Sequence, residues 1–150
     1  MSTNMSQSVP RLTRQQANLL LADGVQADVR DSAEVLALLE RQFEAALRHR
    51  SSELTQLAEQ LMPLLDAMEA RRQQRVSLVR ALLGEGATMA GFIASLAQPA
   101  QGALAAAWAN LESTVQACKA ATTRNGGLLA EQYTVMQRVL HGEDDIYAPR

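Results

Sequence analysis

Histidine, cysteine and clustered carboxylates are the side chains that could carry chemistry, and this 150-residue chain has few of them. His49 and His141 are its two histidines and Cys118 its one cysteine. A histidine on a helical bundle can accept and pass a phosphoryl group. Domains that do so place a lysine and a glycine shortly after it, and "HRSSELTQL" from His49 contains neither. The two histidines also fall at opposite ends of predicted helices, so no metal centre is expected. Cys118 lies on an apolar seam and reads as a small buried hydrophobe rather than a reactive thiol. Glu143, Asp144 and Asp145 are adjacent carboxylates, but in a polar tail they read as a solvated charge run. "GEGATMAG" has neither the lysine of a phosphate-binding loop nor a preceding strand. The expectation is a chain with no catalytic residue, no cofactor and no metal: not an enzyme.

Composition points to helices. Hydrophobic residues make up 47% of the chain and aromatics only 3%, so the core is Leu, Ala, Val and Met. Fourteen basic and 16 acidic residues, a net charge of −2 and a pI near 5.7 give no electrostatic case for nucleic acid. "MSTNMSQSVP" lacks the pattern of a signal peptide, and no apolar run approaches the ~20 residues of a membrane span. A cytoplasmic protein without membrane insertion or a small-molecule substrate is expected.

The elements follow from the spacing of apolar residues. Residues 1–11 form a disordered leader ending near Pro10, and 12–142 a single helical domain. In the first helix, about 12–50, Ala22, Val25, Val29, Ser32, Leu36, Leu39, Phe43 and Ala46 alternate spacings of three and four. Val35, Leu38 and Leu47 widen that seam. Asp23-Gly24 leaves open whether this is one helix or two. "RHRSSEL" marks a turn, with Ser51 or Ser52 as the next cap. A second helix spans about 53–83, with Pro63 expected to kink it. Its segment "EARRQQR", 69–75, carries charge across the seam and must reach solvent or pair with acids. A glycine-rich connector, 84–103, has room for a short helix between Thr88 and Leu96. The third long helix, about 103–141, repeats Leu104, Trp108, Leu111, Val115, Cys118, Thr122, Asn125, Leu129, Gln132, Met136 and Val139. His141-Gly142 is expected to end it, leaving 143–150 as a flexible acidic tail. The fold class is therefore all-α: an elongated antiparallel bundle or coiled coil of three long helices, with a short connector helix.

"TTRNGGLL", 122–129, interrupts the best helical stretch with two glycines that cost about 2 kcal/mol against alanine. The seam enters at Cys118 and leaves at Leu129 in phase, so the helix is expected to continue. Thr122 and Asn125 then form a polar layer that can set register. Gly126 and Gly127 read as a hinge or a point where another helix approaches closely. After them comes an apolar stripe, Leu128, Leu129, Tyr133, Met136 and Leu140. Three helices of this kind carry more apolar surface than a thin bundle covers internally, and the surplus suits a partner helix. A coiled-coil module whose surplus serves self-association is the alternative.

Three segments carry a resemblance. They are "LLERQFEAALRHRSSELTQLAEQLMPLLDAMEARRQQR", "TTRNGGLLAEQYTVMQRVLHG" and "IYAPR". In this order they resemble the FlgN-type flagellar export chaperones over most of the chain from about Leu19. The chain departs from the family in doubling the glycine after Asn125 and in ending at Pro149-Arg150. The resemblance implies a cytosolic chaperone of flagellar type III secretion without nucleotide binding. Such a protein holds the C-terminal helical segments of hook–filament junction proteins, prevents their premature assembly and delivers them to the export apparatus. It also implies client binding on the C-terminal helix, which places Asn125, Leu128, Leu129, Tyr133, Met136 and Leu140 at the partner surface. Ile146 and Tyr147, in the acidic tail, are candidates for docking to the export machinery, against the alternative of a plain disordered end.

Overall fold

The computed structural model describes the backbone of residues 12–147 and side chains as far as His141. The expected leader, 1–11, lies outside the described residues. Four helices follow in order: α1, Arg14–Leu47; α2, Ser51–Leu83; α3, Met89–Ala94; and α4, Ala100–Tyr147. No strand occurs among the described residues. The chain is all-α, with three long helices and a short connector helix.

Local chemistry accounts for the boundaries. Thr13 and Gln16 cap each other at the start of α1: the Gln16 amide donates to Thr13 Oγ1 at 3.0 Å and the Thr13 amide to Gln16 Oε1 at 2.9 Å. Asp23-Gly24 does not divide α1, because glycine weakens a helix without removing a backbone hydrogen bond. The α1–α2 turn closes on itself. Arg50 N–H donates to Ala45 O and His49 N–H to Ala46 O, and His49 takes the left-handed conformation usually given to glycine (φ 54°). The next cap is not Ser51 or Ser52: the Arg50 carbonyl accepts from Leu54 N–H, and Ser51 is already helical. Pro63 sits on the exposed side of α2, which runs through it. In the connector, Thr88 caps α3 by accepting from Gly91 N–H, and the Gln98 side chain accepts from Gly102 N–H in the first turn of α4. His141-Gly142 does not end α4, whose helical backbone continues to Tyr147. Glycine alone costs too little to stop a helix when no proline follows before Pro149.

The helices form two compact units. One comprises residues up to Arg30 together with Ala67–Leu111. Its core holds Leu21, Val25, Val79, Phe92, Ile93, Leu104 and Leu111, and it buries one charge, Asp28. Asp28 Oδ1 accepts from Arg71 Nε at 2.6 Å and Oδ2 from Arg75 Nη1 at 2.8 Å, while the Arg75 guanidinium lies 5.3 Å from the Trp108 ring centre. This network ties α1, α2 and α4 together and shows where "EARRQQR" sends its charge. Arg71 and Arg75 turn inward, and Arg72 stays outside against Glu69 at 2.7 Å. The Arg72 and Gln73 hydrogen bonds lower the Glu69 carboxyl to about 2.

The other unit comprises Asp31–Asp66 and the residues from Glu112 onward. Val35, Leu38, Leu39, Ala45, Ala46, Leu57, Leu61 and Ala121 form its core, with Ser32 and Asn125 as buried polar residues. Leu47, expected in the packing stripe, is exposed, because α1 ends there.

Candidate protein-binding surface

Within this second unit, three α4 side chains seven residues apart each donate to a carbonyl of α1. Cys118 Sγ reaches Ser32 O at 3.5 Å, Asn125 Nδ2 reaches Leu39 O at 2.8 Å and Gln132 Nε2 reaches Ala46 O at 2.9 Å. All three rungs join residues 86 apart, so α1 and α4 run parallel here in one fixed register. A seven-residue repeat keeps each donor on the same face of α4. Burial also pushes the Cys118 thiol above its ordinary pKa, which suits an uncharged packing role.

Asn125 is the central rung. It is 2% exposed, donates a second bond to Gln42 Oε1 at 2.8 Å and accepts from Arg124 Nε at 3.1 Å. Arg124 is held by Glu40 at 3.2 Å and stacks 4.0 Å above Phe43. Replacing Asn125 by alanine removes two good hydrogen bonds and leaves Gln42 without this partner. It is expected to destabilise the chain by about 2 kcal/mol, read as a lower urea midpoint with unchanged slope. An unshifted midpoint would refute the anchoring role.

The ladder stops because α1 stops. The next rung would place Val139 opposite position 53, but α1 ends at Leu47 and Glu53 already belongs to α2. Beyond Gln132, α4 continues over 133–147, about 22 Å at 1.5 Å per residue. The apolar pattern continues with it. Leu129 (37% exposed), Tyr133 (63%), Met136 (59%) and Leu140 form one row, and Val135 and Val139 prolong the row of Leu128 and Gln132. Leu47, next to Ala46, stands exposed at the foot of this surface.

Four of the six residues expected at a partner surface, Leu129, Tyr133, Met136 and Leu140, therefore share one exposed face. Leu128 is half-buried, and Asn125 is committed to packing inside the unit. Thr122 is exposed and bonds only back to Cys118 O at 2.9 Å, so it forms no polar layer with Asn125; Ala121 takes the buried position. The expected close approach at Gly126 and Gly127 is also absent. A Cβ at either glycine would meet no atom within 4 Å. Ile146 and Tyr147 continue the α4 backbone, but their side chains lie outside the described residues. Three exposed apolar residues, Leu47, Val135 and Val139, were not expected at this surface. The step of three from Gln132 to Val135, then four to Val139, is the signal that could have found the two valines. His49 lies in the turn and not on a helix face, where phosphotransfer would need it.

Fold and surface define a helical bundle whose last helix runs on past the end of α1 with an apolar face exposed. Among the described residues, no helix is long and apolar enough to cross a membrane. A family model described as FlgN protein matches residues 21–141, and the chain belongs to the FlgN family. That makes it, in general role, a flagellar export chaperone, from a family of chaperones rather than enzymes. Searches of the curated proteins and of the solved structures return no match.

Proposed function

We propose that this chain is a cytoplasmic chaperone for hook–filament junction proteins. It holds their C-terminal helical segments on the free end of α4, keeps them from assembling early and passes them to the export apparatus. The supporting observation is the exposed row Leu129, Tyr133, Met136 and Leu140, which begins beside the last rung of the α1–α4 ladder at Gln132 and runs on past it. A client segment that assembles with its neighbours is an amphipathic helix, and this row offers its apolar side a substitute partner. Release must follow capture, and a surface with methionine and a single aromatic adapts to its partner without saturating affinity. Ile146 and Tyr147, at the far end of the same helix, are proposed to contact the export machinery.

Co-purification of the full chain with the C-terminal helical region of a hook–filament junction protein tests this reading. A defined complex at micromolar concentration is expected, and no complex at that concentration overturns it.

A further inference from the structure

The free end of α4 has a charged foot. Arg48, His49 and Arg50 form the α1–α2 turn, and the Gln132–Ala46 rung fixes that turn beside the point where α4 emerges. Arg48 and Arg50 are held loosely. Their partners Glu44 and Glu53 lie one turn back along α1 and one turn on along α2, at 3.7 and 3.5 Å, and both guanidiniums are more than half exposed. Exposed pairs of this length contribute little and exchange readily for a better anion.

A helix laid on the free α4 face continues the line that α1 vacates at Leu47, so one of its ends meets this turn. The two ends of a helix differ in charge. Its N-terminus is partly positive, and its C-terminus is partly negative and fully negative where the chain itself ends. Basic residues repel the first and attract the second.

We propose that the bound helix lies antiparallel to α4, with its C-terminal carboxylate against Arg48 and Arg50. This rests on the reading of the α4 end as the client surface, and adds the orientation of the client and the chemical group recognised at its end. The apolar row supplies contact area that tolerates many sequences, while the turn selects a chain terminus. Together they distinguish the last helix of a client from an internal amphipathic helix of similar composition.

The test uses the full chain and a synthetic peptide of the last ~30 residues of a hook–filament junction protein, long enough to form a helix. One version carries a free C-terminal carboxylate and the other a C-terminal amide. Binding is measured at low salt to the wild type and to the double variant Arg48→Gln/Arg50→Gln, whose exposed substitutions leave the core untouched. Amidation is expected to weaken binding to the wild type about five- to tenfold, and to change binding to the double variant less than about twofold. Equal binding of the two peptides to the wild type overturns the orientation while leaving the client surface standing. An amidation penalty that persists undiminished in the double variant overturns the role of the turn. If neither peptide binds, the client surface fails and the orientation fails with it.

Discussion

Met136→Asp is expected to lower client capture at least 100-fold while far-ultraviolet helicity stays at the wild-type level. Met136 is 59% exposed in the free chain, so a polar replacement removes little packing from the bundle. In the proposed complex the same side chain is covered by the client at the centre of the apolar row, between Tyr133 and Leu140. Burying a methionine contributes about 1.5–3 kcal/mol, and forcing a carboxylate into that contact adds its desolvation cost. Two powers of ten in affinity correspond to about 2.8 kcal/mol, within reach of those two effects combined. Thr134→Asp is the control. Thr134 is exposed on the other side of α4 and bonds only within its own turn, so capture should be unchanged. A loss of helicity in Met136→Asp, or equal losses in both variants, would place the client surface elsewhere.

Asp28→Ala is expected to have the largest effect on stability. Its carboxylate is almost wholly buried and accepts from two guanidiniums that are themselves mostly covered. Removing it takes from Arg71 and Arg75 the buried anion that they share. Breaking a buried pair from one side costs about 3–5 kcal/mol, which for a chain of this size lowers the melting temperature by about 10 °C. Arg75 would also lose the contact that steers it over Trp108. The informative comparison is Asp28→Leu with Arg71→Met and Arg75→Met. Replacing all members of a buried ionic network by apolar residues of similar volume is often neutral. A single variant as stable as the wild type would mean that water reaches the site and that the network does not anchor three helices.

The two variants probe separate units, and the sequence foretells them unequally. In the second unit, Cys118, Asn125 and Gln132 lie on the predicted seam because a seven-residue repeat is visible in the residues themselves. That Asn125 serves packing and Met136 lies exposed is not visible, since both belong to the same repeat. What separates them is the end of α1. Between Cys118 and Asn125 the buried position of α4 is Ala121 and not the expected Thr122. Alanine and threonine are adjacent there, and only tertiary packing selects Ala121. In the first unit, "EARRQQR" announces that charge needs a partner, but Asp28 lies more than forty residues away and nothing in its neighbourhood marks it as buried.

The sequence by itself determined the helices, most of their boundaries, the family and the apolar character of the C-terminal stripe. These depend on local periodicity, capping and composition, which act over a few residues. Only the tertiary structure decided which part of that stripe is covered, because coverage depends on where a different helix stops. α1 ends at Leu47, one residue past its last rung with α4, and from there the same repeat that builds the core faces outward. It likewise took the fold to bring the basic turn to the foot of that face and to bury one aspartate between two arginines.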